Sequence, residues 1–233
     1  MEPLPATLET IQELTRDGDT ELAAALARMS LDVVKIAPEC VGLSLSLVEE
    51  GLTLTMTASD QPIGVLDGFQ YLDDGPCQRA ADDGDVIAWD NDSVLDETHW
   101  RLFAEASTAA GVCSTLSLPI LRRDTVVAVV NLYGGTHDAF DGRHQELASA
   151  CGAWAGGATT NADLAFSTSW AAREAPGKIH RNDTVEQAVG VLAVLLEVGP
   201  EEARRKLQEA ARRAAVAVAT LAAAVLEVTR RER

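Results

Sequence analysis

Residues 41–59 read VGLSLSLVEEGLTLTMTAS, and their periodicity decides the fold. Val41, Leu43, Leu45 and Leu47 alternate with Gly42, Ser44 and Ser46. Past Glu49-Glu50-Gly51, Leu52, Leu54, Met56 and Ala58 alternate with Thr53, Thr55, Thr57 and Ser59. A period of two sends successive side chains to opposite faces of a strand. Two such runs around a Gly-containing turn predict a hairpin of half-buried strands. Its aliphatic face points to a core, and its other face carries Ser and Thr.

Outward from the hairpin the periodicity changes. Leu8, Ile11, Leu14, Leu22, Leu26, Met29, Val33 and Ile36 have helical spacing over residues 6–37. Asp17-Gly18-Asp19 divides that run into two helices, and Pro38 ends the second. Residues 60–75 look like a loop with at most one turn of helix. CQRAADDG (77–84) predicts a short helix ended by Gly84, and DVIAW (85–89) a short strand. HWRLFAEASTAAG (99–111) predicts a helix stopped by Gly111. CSTLSLPIL (113–121) alternates again. TVVAVVNLYG (125–134) is the most apolar strand and is expected at the centre of the sheet. A helical pattern runs from Asp141 to about Arg173. The order predicts an α+β domain, one antiparallel sheet with helices on one side.

EAPGKIHRND (174–183) marks a boundary by its Pro, its Gly and a change of charge. Asp183 with Glu186 fits a capping box opening a helix at Thr184. Gly199-Pro200-Glu201-Glu202 opens another, with acids in its first turn. A third helix is expected from Ala214 to Arg231, separate from the second or continuous with it. Three helices in about fifty residues bury little surface alone. The tail is therefore expected to pack on a partner or a second copy.

The chain carries a net charge of −17, unevenly spread. Residues 1–174 hold 28 acidic against 9 basic side chains, and residues 175–233 hold 10 basic against 8 acidic. The acidic body should repel nucleic acid, so any polyanion contact belongs to the tail. The N-terminus lacks the basic start and apolar run of a signal peptide. AAVAVATLAAAVL (214–226) is too short and alanine-rich to span a bilayer. Cys40, Cys77, Cys113 and Cys151 form no CxxC or Cys/His cluster, which predicts reduced thiols and no metal site. A cytoplasmic location without membrane contact is expected. A nucleophile elbow, P-loop and GxGxxG are all missing, so an enzyme is not expected.

YLDDGPCQRA (71–80), GDVIAWDN (84–91), FAEASTAAGVCSTLSLPI (103–120) and VVNLYGGTHDAF (129–140) resemble segments of the GAF family of sensory domains. The resemblance is to the version found in bacterial regulators with a C-terminal RNA-binding module. The tail is similar to the ANTAR family on Val185, Gln187, Ala188, Gly190, Leu192, Ala203 and Leu207. That family implies a three-helix module that binds a pair of RNA hairpins and prevents transcription termination. The order is familiar in actinobacterial regulators. Val189 stands where the ANTAR family usually has Lys, and Arg204 where it usually has an aromatic residue. The expected divisions are an N-terminal helical segment at 1–19, a GAF-like domain at 20–173, a linker at 174–182 and an ANTAR-like domain at 183–233.

The candidate RNA contacts are Arg181, Gln187, Arg204, Arg205, Arg212 and Arg213. Arg205 and Arg212 are seven apart and share a helix face, as do Lys206 and Arg213. Such a stripe could hold a phosphate backbone, while Gln187 could bond a base edge. The competing reading is a solvated face balanced by Glu201, Glu202 and Glu209. A tail that contacts RNA should expose its cations; one that only dimerises should bury them or neutralise them with Glu.

The resemblance to GAF domains implies a small-molecule pocket, with Tyr71, Cys77, Trp89, Trp100 and Leu118 as candidate lining. That lining suits an apolar or heterocyclic ligand. The pattern of cyclic-nucleotide-binding members is missing, and no spacing fits haem or bilin attachment, so the cofactor or ligand is unknown. The alternative is a pocket closed by its own side chains in a dimerising scaffold. Cys77, at the start of a helix, is the thiol placed to be reactive, which leaves a redox sensor as a further reading; packing is the other. Helices at 6–37 and 141–173 are expected to pair in a homodimer.

Overall fold

The computed structural model describes residues 15, 19–49, 51–90, 100–153 and 182–230. The expected helix before Asp17 and the linker up to 181 lie outside the described residues. The helix expected from Asp141 to about Arg173 spans only His144–Ala150, ending before the left-handed Gly152, and the run past 153 lies outside the described residues.

Helix α1 spans Thr20–Ile36, and the Asp19 side chain caps it by accepting from the Glu21 and Leu22 amides. Five strands follow: β1 (Cys40–Glu49), β2 (Leu52–Ala58), β3 (Ile87–Asp90), β4 (Ser114–Arg122) and β5 (Thr125–Gly134). They lie in the order β2-β1-β5-β4-β3, each neighbouring pair antiparallel. The most apolar strand is thus the central one.

The aliphatic positions of the opening hairpin do not all share one face: irregular register at Cys40/Gly42 and Leu45/Ser46 sends Val41 and Ala58 to the opposite cluster, and Leu52 is exposed. Leu43, Leu45 and Leu47 of β1 join Leu116, Leu118 and Ile120 of β4 and Val130 and Leu132 of β5. This layer packs against α1 and the short helix α5 (His144–Ala150), giving one side of the sheet its cover.

The other side is also covered, so helices flank both faces rather than one. Ser44, Ser46, Thr53 and Thr55 are all buried on this face, whereas a bulge between Leu45 and Ser46 turns Thr57, the partner of Leu45, to the other one. Their cover includes helix α2 (Gln61–Leu72) and helix α3 (Pro76–Asp83). Helix α2 occupies the stretch the sequence reads as a loop. Nine of its twelve residues are buried, so it lacks the polar face that produces a 3.6-residue pattern. Its start is local: Asp60 accepts from the Ile63 amide at 2.9 Å, and Pro62 occupies the first turn. Helix α4 (Arg101–Ala110) ends at Gly111 and α3 at Gly84, both left-handed, as the sequence indicates.

The C-terminal residues form α6 (Asn182–Leu195), α7 (Pro200–Arg213) and α8 (Val218–Arg230). Helices α7 and α8 are separate. Ala215 is left-handed (φ 56°) and the Val216 amide reaches back to the Ala211 carbonyl at 3.0 Å, which stops α7. Glu197 (φ 53°) with the Val198 amide on Ala193 ends α6 in the same way.

Part of the tail's apolar surface packs on the chain's own α2, while Val194 of α6 stays exposed. Gly64 and Gly68 lie one turn apart and form the contact strip. A Cβ at Gly68 would stand 3.0 Å from Leu221 Cδ1, and one at Gly64 would stand 3.4 Å from Val216 Cγ1. Phe69, Trp89 and Phe103 thereby share one apolar cluster with Leu192, Leu207, Leu221 and Val225.

Candidate functional site

Between α2 and the Ser/Thr face of the sheet lies a buried polar network. Asp67, Gln70 and Tyr71 follow helical spacing and project from one side of α2. Asp67 is fully buried. It accepts from Ser44 at 3.0 Å and Thr55 at 2.9 Å, and from the hydroxyl of Tyr133 on β5. Gln70 donates to the Tyr133 hydroxyl at 2.8 Å and accepts from the Cys77 amide at 2.7 Å. Tyr71 reaches Ser46 and Thr55. Asn131 extends the chain of bonds from Ser44 to Ser117.

A buried carboxylate loses its hydration, which favours the neutral acid. Burial pushes Asp67 up to about 6, and the hydrogen bonds from Tyr133, Ser44, Thr55 and Gln70 oppose that rise. Asp67, Gln70, Tyr71 and Tyr133 are all buried between α2 and the polar face of the sheet. Two hydroxyls nearby in sequence to this layer, Ser107 on α4 and Thr115 on β4, are buried without a hydrogen-bond partner.

The five candidate pocket residues do not converge. Tyr71, Trp89 and Trp100 belong to the cluster shared with the tail, with the Trp89 and Phe103 rings 5.5 Å apart. Cys77 sits in a small separate cluster with Ala80 and Val129. Leu118 lies on the opposite face of the sheet, among the α1 and α5 contacts. The alternation of β4 explains this: Thr115 and Ser117 face α2, so Leu116 and Leu118 face away.

Cys77 is not an activated thiol. It is completely buried at the start of α3, and burial, followed by the negative charge of Asp67, pushes it up to about 12. That outweighs any lowering by the helix N-terminus. Cys40 and Cys151 are also buried, and Cys113 is half-buried. Alkylation of the native protein is therefore expected to label Cys113 first, with Cys77 modified only at the rate of unfolding. Mass spectrometry of peptides after timed iodoacetamide exposure checks this; early labelling of Cys77 would restore the redox reading. Among the described residues, no three His, Cys, Asp or Glu side chains stand together to hold a metal.

The candidate RNA residues are distributed over two environments. Arg181 lies outside the described residues. Gln187 is exposed on α6 and borders a groove of about 590 Å³ between α6 and α8. Arg204 bridges to Glu186 of α6, Arg205 pairs with Glu202, and Arg212 pairs with Glu209 at 2.7 Å. Arg213 turns inward and is 5 % exposed. Val189 is buried in the helical core.

Arg213 ends α7 and reaches toward β2 and α3. Its Nε donates to the Thr53 carbonyl at 2.9 Å. Its Nη2 donates to Thr53 Oγ1 and to Gln78 Oε1, each at 2.7 Å. Its Cζ stands 4.2 Å from the centre of the Tyr71 ring. Sequence reasoning missed Thr53, Gln78, Asp67, Gln70 and Tyr133. The available signal was the polar face of the hairpin facing Asp67, Gln70 and Tyr71 on one helix.

A family model of the GAF domain matches residues 17–158, and one of the ANTAR domain matches residues 174–226. Both families are regulatory domains. No curated protein matches the chain. Among the described residues no helix is long and apolar enough to cross a membrane.

Proposed function

The chain belongs to the GAF family and carries an ANTAR domain after it, and from that premise we propose a sensory transcription regulator. The GAF domain senses a signal or forms a homodimer in the cytoplasm. The ANTAR domain binds a pair of RNA hairpins and prevents transcription termination. The observation that carries this reading is the pairing of the two domains in one chain through a shared core. A change in the sensor can act on the ANTAR helices directly, because α2 contacts both the polar network and α8.

The paired arginines are compatible with RNA binding. Arg205 and its Glu202 partner remain substantially exposed, as do Arg212 and Glu209. Surface pairs of this kind contribute roughly 0–1 kcal/mol, so a phosphate can replace the glutamate. The docked form then acts as the resting state, with Arg204, Arg205 and Arg212 each paired to a glutamate.

A second reading is favoured by that same neutralisation together with Val189 in the core: an interaction module whose ANTAR helices no longer contact RNA. Binding of the full chain to a panel of two-hairpin RNAs, as a function of salt, separates the two. The antiterminator reading expects affinity that falls steeply with salt. It also expects Arg205→Ala plus Arg212→Ala to reduce the logarithmic salt slope by about 2. Affinity equal to that for scrambled RNA would select the interaction module.

A further inference from the structure

The environment of Arg213 is organised around the shape of its side chain. Burying a cation costs several kcal/mol unless its donors are satisfied. An interface held only by apolar contact would avoid that cost. Here, instead, the Nε and Nη2 donors of the guanidinium meet three acceptors, and its flat face meets an aromatic ring. Thr53 supplies two acceptors from β2, an edge strand whose outward carbonyls lie off the sheet ladder. Gln78 supplies the third from α3. Tyr71 supplies the face and is itself fixed through its hydroxyl to Ser46 and Thr55. Planar, forked recognition combined with stacking distinguishes a guanidinium from an ammonium. These four contacts are neutral, so they select by geometry rather than by charge alone. Thr53, Tyr71 and Gln78 belong to the GAF domain, whereas the guanidinium belongs to the ANTAR domain.

We propose that the sensor domain carries a guanidinium-binding site, formed by Thr53, Tyr71 and Gln78, that Arg213 occupies as an internal ligand. Small molecules bearing a guanidinium group compete with Arg213 for this site and loosen the ANTAR helices from α2. The inference rests on the sensory reading of the GAF domain and is independent of RNA binding. Because Arg213 is held on the same chain, its effective concentration is millimolar or higher. An external guanidinium therefore acts weakly on the wild-type protein, and its affinity emerges once Arg213 is removed.

The test uses the full chain, methylguanidinium chloride as probe and methylammonium chloride as control. In Arg213→Ala, millimolar methylguanidinium is expected to raise the melting midpoint progressively, as a ligand of the native state does. Methylammonium should leave it unchanged, and the wild type should respond at least about tenfold more weakly at equal concentration. Equal effects of the two salts, or equal responses of variant and wild type, would overturn the proposal. Gln78→Leu keeps Arg213 but removes one acceptor, and it serves if Arg213→Ala does not fold. Hydrogen exchange of α7 and α8 amides is then expected to accelerate about tenfold while β4 and β5 keep their protection. Unchanged exchange in α7 and α8 would also overturn the site. Neither measurement contains RNA, so failure of the antiterminator reading leaves them interpretable.

Discussion

Leu221→Ala is expected to lower the unfolding free energy by about 2–5 kcal/mol, the range for truncating a fully buried leucine. Leu221 is the first large apolar residue of α8 and is completely buried. Its two methyl groups lie against α2, 3.0 Å and 3.2 Å from where a Gly68 Cβ would stand. Gly68→Leu fills the same space from the other side and should cost about 1–3 kcal/mol by overpacking. Ala214 Cβ, at 3.5 Å, closes the remaining side of that position. The double variant returns the volume that Leu221→Ala removes. It should therefore be less destabilised than the sum of the two single variants, by about 0.5–3 kcal/mol. Urea denaturation of the four proteins measures this coupling. Strict additivity would mean that α2 and α8 do not touch in solution, and the docked ANTAR arrangement would be wrong.

The second large effect is a dependence of stability on pH that originates at Asp67. Its value in the folded chain is about 6, against an ordinary 3.8. Well below the ordinary value of 3.8 both folded and unfolded forms hold the proton, and Asp67 contributes no penalty. As pH rises, the unfolded chain releases its proton first, so stability falls until the folded group ionises near pH 6. Above that the loss is constant, on the order of 3 kcal/mol. Asp73 shifts in the same direction, chiefly through burial, and accepts from the Leu102 amide at 2.9 Å. The diagnostic quantity is therefore the difference between wild type and Asp67→Asn. An asparagine oxygen can accept from Ser44, Tyr133 and Gln70, while its amide can donate to the Thr55 hydroxyl after that hydroxyl turns toward Tyr71. The variant should gain on the wild type progressively between pH 4 and pH 7 in chemical denaturation. Parallel stability curves for the two proteins would place the ionisation elsewhere.

Tyr71 connects Asp67's surroundings to the ring on which Arg213 stacks, through the shared Thr55 hydroxyl. A change in the charge of Asp67 and a change in Arg213 thus act on adjoining parts of α2. The buried polar network and the docking of the ANTAR helices meet on one twelve-residue helix.

The amino-acid sequence by itself determined the elements whose pattern is set locally. Strict alternation defined the hairpin and β4, and the uninterrupted apolar run marked β5 as central. Gly84 and Gly111 marked the ends of α3 and α4, because a left-handed residue terminates a helix independently of what surrounds it. Tertiary structure decided the rest. Helix α2 is buried on nearly every side, so no amphipathic stripe announces it. The Ser/Thr face looks solvent-exposed until Asp67, Gln70 and Tyr71 are laid over it. Arg213 stands beside Arg212 in the chain and shares its chemistry, yet one finds a surface glutamate and the other the interior. Successive helical positions differ by about 100° in direction. Only the neighbour that α7 packs against determines which of those two directions leads into the protein.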